Sequence, residues 1–350
     1  MSDTRYSQYE FGIFDIMQVE TLRPTAEVLA ERLSHHQEAD RLGLDYVMLA
    51  ERHFMSHHRA SSPGLLLARL SATTGQIRLG VLAYTLALHN PVLLAEEIST
   101  LDHLTGGRLE VGLGLGHRPQ EIAALGLPAE HRQSIFIENL MIMRQAWEGQ
   151  PFNFEGGLYK LSEIWVDPPF QRPHPPIWFA GNDPQVTAWA ARNGLSLAVG
   201  FQPDESLTNS TAAYWAETPP EGAPRQRVAL MRYLYLAEDS DRAREEFIEH
   251  LMRVDAELRP LTGEPQARRG PLSREEAEAQ YEEQITRQIV IAGDPEEAAT
   301  AIAVSLRSLR ANVFLANIHF ALLDDARIRR ILRLYAEEVA PRVKAKLAAE

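Results

Sequence analysis

IRLGVLAYTLALHNPVLLAEEISTLDHLTGGRLEVGLGL, residues 77–115, is the stretch on which the fold turns. Its first run, IRLGVLAYTLAL (77–88), is apolar nearly throughout instead of alternating, as expected of a strand covered on both faces. Pro91 then opens a helical stretch in which Leu94, Ile98 and Leu101 form one stripe, and Gly106-Gly107 ends it. A second apolar run, RLEVGLGL (108–115), follows directly. The unit reads strand, helix, strand.

The alternation extends in both directions. FGIFDIM (11–17) and YVMLAE (46–51) precede the unit, and PIWFAG (176–181), LSLAVGF (195–201), RVALMRYLYLA (227–237) and NVFLANIHF (312–320) follow it. Helical patterns lie between them. One opens at Pro24-Thr25 with Leu29, Leu33 and His36 at helical spacing, and SIFIENLMIMRQAWEG ends at Gly149. Another is capped by Asp294-Pro295, and the amphipathic RIRRILRLYAEEVAPRV lies near the C-terminus. Eight strands alternating with helices predict an α/β fold, a (β/α)8 TIM barrel, read as a single domain over residues 1–350. Residues 150–175, rich in Pro, Gly and aromatics, read as a hairpin insertion after the fourth helix. Residues 238–287, strongly charged, read as a helix and an excursion after the seventh strand, where barrels carry lids.

Composition excludes several classes of function. A formal net charge of −13 argues against nucleic acid and anionic membrane as partners, since both reward clustered Lys and Arg. Cysteine is absent, which rules out disulfides, thiolate metal sites and a cysteine nucleophile, and fits a reducing cytoplasm. MSDTRYSQYE lacks the apolar segment of a signal peptide, and LGVLAYTLALHNPVLLA (79–95) is interrupted by His-Asn-Pro, so no membrane helix is expected.

In such a barrel, reacting groups come from the C-terminal ends of the strands. ERHFMSHHRAS (51–61) occupies one such end; Asp15 and Met17, His89-Asn90, His117-Arg118 and Gly181-Asn182-Asp183 occupy others. No metal site is expected. Asp15-Ile16-Met17 stands where barrel hydrolases place His-x-His, and the spacing of His53 and His57 lacks the glutamate of an HExxH helix. His57, His58 and His131 read as solvated loop histidines. VGLGLGHRP (111–119) has His117 where a dinucleotide fingerprint needs its third glycine, so its glycines serve close backbone approach or a tight turn. Gly181-Asn182-Asp183-Pro184 opens a helix after the fifth strand, and reads equally as a phosphate-binding helix start or as an Asp cap followed by Pro.

Taken together, three blocks resemble the bacterial luciferase-like flavin-dependent monooxygenase family. They are ERHF after strand two, TGQIRLGVLAYTLALHNPVLLAEEISTLDHLTGGRLEVGLGLG (74–116), and QRPHPPIWFAGNDPQVTAWAARNG (171–194). IAGDPEEAATAI adds weaker support. The resemblance implies a barrel holding FMN, or a deazaflavin in one branch, at its C-terminal mouth. It implies reaction of reduced flavin with dioxygen, oxygen transfer to a small organic substrate, a separate flavin reductase, and a homodimer. It places a cis peptide at Leu82–Ala83 against the flavin. The cofactor contacts it implies are Leu82, Ala83, Tyr84, Arg118, Ala180, Gly181, Asn182 and Asp183.

The chain departs from the family pattern in places. Arg52 occupies the position of the family's catalytic histidine, Leu115 that of a phosphate-binding arginine, and Gly114 that of a cysteine; Arg118 is the nearby replacement cation. Light emission is therefore not implied. Strand parity puts Arg52 and His53 on opposite sides. The reactive edge is assigned to Glu51, Arg52 and His53, with a cation or donor facing the flavin. Tyr84, Trp178, Phe201 and Tyr233 point to an apolar, planar ligand or to barrel packing. A deazaflavin-dependent hydride-transfer enzyme and a non-catalytic flavin-binding protein are the alternatives.

Overall fold

The computed structural model describes residues 9–19, 23–116, 118–262, 271–320 and 323–349. Its strands, in chain order, begin with β1 (Glu10–Asp15), β2 (Tyr46–Leu49), β3 (Arg78–Thr85) and β4 (Leu109–Gly114). A hairpin of β5 (Phe152–Glu155) and β6 (Lys160–Ile164) follows. Then come β7 (Ile177–Ala180), β8 (Ser196–Gly200), β9 (Val228–Leu236), β10 (Val290–Gly293) and β11 (Val313–Asn317). Eight of them, β1-β2-β3-β4-β7-β8-β9-β11, close into a parallel barrel, with β11 set between β9 and β1. Each of the eight apolar runs supplies one barrel strand. The hairpin falls where the 150–175 insertion was expected.

The helices are α1 (Thr25–Arg41), α2 (Pro63–Ser71), α3 (Pro91–Thr105), α4 (Pro119–Ala124), α5 (Arg132–Ala146) and α6 (Pro184–Arg192). They continue with α7 (Asp204–Trp215), α8 (Ser240–Thr262), α9 (Arg274–Thr286), α10 (Pro295–Ser308), α11 (Asp325–Leu334) and α12 (Ala340–Ala348). α3 shows how local sequence sets the bounds. The Asn90 side chain accepts from the Val92 and Leu93 amides, Pro91 takes the first helical position, and Gly106 ends the helix at φ 63°. Its Leu94, Ile98 and Leu101 are buried, each worth about 1.5–3 kcal/mol of burial. No described helix is long and apolar enough to cross a membrane.

Alternation along the strands divides the apolar residues into two layers. Tyr46, Met48 and Ala50 point into the barrel with Phe14, Leu82, Trp178 and Met231, while Val47 and Leu49 join the layer beneath the helices. The N-terminal end of the barrel is plugged by charge. Arg227, at the start of β9, donates to both oxygens of Glu110 at 2.8 and 3.1 Å and to the Tyr46 hydroxyl. It also lies over the Trp178 ring at 4.6 Å, and Trp178 Nε1 donates to Glu110 at 2.7 Å. This end is filled; the C-terminal end is where space remains.

β10 was not expected from the sequence. It continues the sheet along the outer half of β9, with Val290 opposite Tyr233 and Gly293 opposite Leu236, beyond the point where β8 ends at Gly200. The 238–287 excursion contains two long helices, α8 and α9, with residues 263–270 outside the described part. α9 opens on a capping box between Ser273 and Glu276.

Candidate active site

A cavity of about 600 Å³ opens at the C-terminal ends of the strands. Its floor is Leu82, Ala83, Ala198 and Met231; its walls include Phe14, Arg52, Gly114, Phe201 and Tyr233. Ala180, Gly181, Asn182 and Asp183 form one end, together with Arg132. The Leu82–Ala83 peptide is cis, as the resemblance implied. Pairing of β3 with β4 shifts register between Val81 and Tyr84, so the bond sits in a local irregularity of the wall. Leu82 and Ala83 both turn to the barrel interior, and Tyr84 turns out. Gly112 makes this approach possible, since a Cβ there would stand 2.9 Å from the Leu82 Cα. Gly114 also borders the cavity, where a Cβ would stand 3.4 Å from the Ala83 methyl, so the two small residues leave this stretch of wall open.

The ERHF segment divides between two places. Arg52 points into the cavity, held by its Nη1, which donates to the Glu51 carbonyl at 2.8 Å, and by its amide, which donates to Ala60 at 3.0 Å. Glu51 and His53 point the other way, into a groove of about 490 Å³ between α2 and α3 that also holds Tyr84 and His89. The Glu51 carboxylate accepts from the Thr85 amide and from His89 Nε2, each at 2.7 Å, and lies 3.5 Å from His53 Nε2. Burial alone would raise this carboxyl; the His53 and His89 rings and the Thr85 amide outweigh it and hold it at about 2. Glu51 in turn raises His53 above the ordinary histidine value. Sequence parity is thus upheld, and of the three expected edge residues only Arg52 reaches the cavity.

The chain compares with known proteins as follows. A family model described as luciferase-like monooxygenase matches residues 9–312. The chain belongs to the luciferase-like monooxygenase family. It is 39% identical over 193 residues to the uncharacterized protein y4wF of Sinorhizobium fredii, covering 55% of this chain and 56% of that relative. The match thus spans little more than half of y4wF. It is 26% identical over 245 residues to the oxygenase component of a flavin-dependent trigonelline monooxygenase from Acinetobacter baylyi, covering 67% and 66%. Among solved structures, monooxygenase RslO1 from Streptomyces bottropensis aligns with a TM-score of 0.81 at 23% identity, over 95% of this chain and 99% of that one. The oxygenating constituent of 3,6-diketocamphane monooxygenase from Pseudomonas putida, in complex with FMN, aligns at 0.77 and 19%, over 96% and 98%. An F420-dependent secondary alcohol dehydrogenase aligns at 0.71 and 17%, over 96% and 99%. At these identities the structures establish the shared fold.

Within the luciferase-like frame, several expectations need correction. Tyr84 does not face the cavity; its hydroxyl donates to Glu97 at 3.3 Å and its ring meets His89 edge-on. Arg118 does not line it either, because its Nη1 contacts Met55 Sδ at 3.0 Å and its Nε lies 3.4 Å from Glu121. His117 lies outside the described residues. At the Gly181–Asp183 end, Asp183 accepts from the Gln185 and Val186 amides at 2.9 and 3.1 Å, so those helix-start donors are already taken. The cation at that end is Arg132, the first residue of α5, which the sequence reading missed. His58 is not a solvated loop histidine. Its Nδ1 donates to the Ile16 carbonyl at 2.9 Å, and burial lowers it to about 4. With the antiparallel bridge from His58 to Gln18, it ties the loop after β2 to the chain after β1. His57 is half-buried, whereas His131 is exposed as expected. Of the aromatics, Phe201 and Tyr233 line the cavity, whereas Trp178 lies deeper, against Arg227 and Glu110.

Asp15, His36 and His319 also come together, each offering one ligand atom within 4.8 Å of the others, a donor set suited to a metal. Asp15 points outward from the barrel, toward α1, and His36 Nε2 donates to it at 3.1 Å. Against burial, His319, Arg32 and His36 hold Asp15 far below the usual carboxylate range. With Arg32 already countering its charge, the group reads as an enclosed ion network behind the wall, separate from the cavity.

Proposed function

We propose that this chain is the oxygenase of an FMN-dependent monooxygenase system, acting on a small organic substrate with dioxygen and with reduced flavin from a separate reductase. The observation that carries this reading is the cavity at the C-terminal strand ends, where the Ala83 methyl and the bare backbone of Gly114 on its wall leave room for a flat ring. Bound flavin supplies the electrons that activate dioxygen; the residues do the rest. Leu82 and Ala83 support one face of the ring. Arg132 and the Asn182 amide group take the phosphate, replacing the arginine lost at Leu115. Arg52 brings the one cation from the ERHF segment to the reactive edge, and Phe14, Phe201 and Met231 keep that edge dry. The diketocamphane oxygenase crystallised with FMN and the trigonelline oxygenase component support the cofactor and the two-component arrangement.

Titration of the purified protein with FMN, riboflavin and deazaflavin tests the cofactor, and oxygen uptake with reduced FMN tests the chemistry. Tighter binding of FMN with oxygen uptake upholds the reading. Equal binding of FMN and riboflavin removes the phosphate site. The F420-dependent relative in the same fold supports the second reading, hydride transfer with a deazaflavin, which tighter deazaflavin binding would favour. Flavin binding without turnover would make the chain a flavin carrier.

A further inference from the structure

We infer that the substrate is a planar organic acid, held by its carboxylate at Arg52 and by its ring against Phe14, Phe201 and Tyr233. This rests on the proposed flavin site and names the class of molecule beside it. The first observation is an unspent cation. Arg227 and Arg232, which are buried, each hold a carboxylate, of Glu110 and Asp204. Arg52 has no carboxylate partner among the described residues; its side chain donates to one backbone carbonyl, and its remaining N–H groups face the cavity. A half-buried guanidinium that lines the cavity without an ion-pair partner favours an anion that can complete it.

The second observation is the surface next to it. Phe14 and Phe201 lie 5.9 Å apart between ring centroids, Phe201 and Tyr233 4.8 Å, and Tyr233 and Phe320 5.4 Å. Phe14, Phe201 and Tyr233 border the same cavity as Arg52, so cation and aromatic surface face one space. The Tyr233 hydroxyl makes no hydrogen bond among the described residues and offers a second donor to a carboxylate oxygen. Phe201 is held in this position by a φ of 55° directly after Gly200, whose absent Cβ would stand 2.5 Å from the Met231 carbonyl.

No carboxylate makes an ion pair with Arg52 among the described residues. Glu51 points to the outer groove and is satisfied by Thr85 and His89, and Asp183 caps α6 at the far end of the cavity. Glu121, whose charge also reaches Arg52, makes its ion pair with Arg118 at 3.4 Å. A neutral amide of the same shape would leave the guanidinium uncompensated, so the site separates acids from amides. A planar fork suits a bidentate carboxylate, and aromatic walls suit a flat ring.

The test compares acid with amide. Benzoate and cinnamate, with benzamide and cinnamamide, are titrated into the FMN-loaded protein, reading the flavin absorption. The wild type should prefer acid over amide by about tenfold or more, as a charge-assisted bidentate contact does. Arg52→Gln should bring that ratio close to one, Arg52→Lys should leave part of it, and Tyr233→Phe should reduce it. Using a ratio within each variant cancels any general loss of binding. Equal binding of acid and amide by the wild type, no binding of either, or an unchanged ratio in Arg52→Gln overturns the inference. A fall in FMN affinity with an unchanged ratio would assign Arg52 to the cofactor instead. Should FMN itself not bind, calorimetry on the flavin-free protein decides: an acid preference there upholds the inference and sinks the flavin reading, and its absence sinks both.

Discussion

Arg227 donates to both carboxylate oxygens of Glu110, at 2.8 and 3.1 Å, and so closes the N-terminal end of the barrel with a fully enclosed ion pair. Removing Glu110 leaves Arg227 without a carboxylate, whereas removing Arg227 leaves Glu110 still paired with Arg78. Glu110→Gln should therefore cost about 3–5 kcal/mol in urea unfolding and Arg227→Met less, because Arg78 stays beside Glu110, while the double replacement by apolar residues of similar volume should cost less than the sum of the two. A double-variant cost equal to the sum of the two single costs would mean that the pair is not coupled.

Ala83→Phe should abolish FMN binding, because the ring bed between Ala83 and Gly114 would be filled. The far-ultraviolet circular dichroism should stay that of a folded barrel. Retained flavin in this variant would move the cofactor elsewhere.

Arg132→Ala should weaken FMN about tenfold and leave riboflavin nearly unchanged, since it removes one charged contact to phosphate. Arg118→Ala should change the FMN-to-riboflavin preference little, because that side chain is engaged by Met55 and Glu121. Paired fluorescence titrations read both. The reverse order of effects would return the phosphate to Arg118.

Arg52→Ala should slow flavin-dependent oxygen uptake far more than His53→Ala does. Arg52 enters the cavity, and His53 sits behind the strand with Glu51. Oxygen-electrode traces at matched flavin saturation provide the comparison; equal rates for both variants would put the ERHF segment outside the chemistry.

Stability should fall in two acid stages. Burial lowers His58 and His250 from the ordinary 6.5 to about 4, so the unfolded chain binds their protons first. Their contribution is whole above pH 6.5 and is lost as pH falls from 6.5 towards 4. The cost is about 1.4 kcal/mol for each unit of lowering. Glu51, held at about 2 against 4.5 unfolded, adds a loss between pH 4.5 and 2. Melting temperature against pH should show both, and His250→Gln should flatten only the upper stage.

The barrel was legible because strands buried on both faces leave runs that stand out against the charged helices; all eight runs became barrel strands. β10 was not, because VIAG is four residues long and gains its strand character from pairing with β9. The cis bond was reached through the family pattern and not through any property of Leu82 or Ala83 themselves. Arg132 had no local mark: HRQS opens an ordinary helix, and only the closed barrel brings it to Gly181. Arg118 was preferred for its nearness to Leu115 in sequence, yet α4 turns it toward Met55. His319 is separated from Asp15 and His36 by most of the chain, and no spacing rule joins the three.

The peptide between Glu51 and Arg52 separates an acid facing outward from a base facing inward. Side chains on a strand alternate with period two, so one extra residue before Glu51 would exchange them. The irregular loop from His53 to Arg59 is able to absorb the added length, leaving the eight barrel strands in register. The mouth of the barrel would then display a carboxylate, and its taste would invert from anions to cations. A single inserted codon would thus be a shorter evolutionary route to a new class of ligand than rebuilding the pocket one side chain at a time.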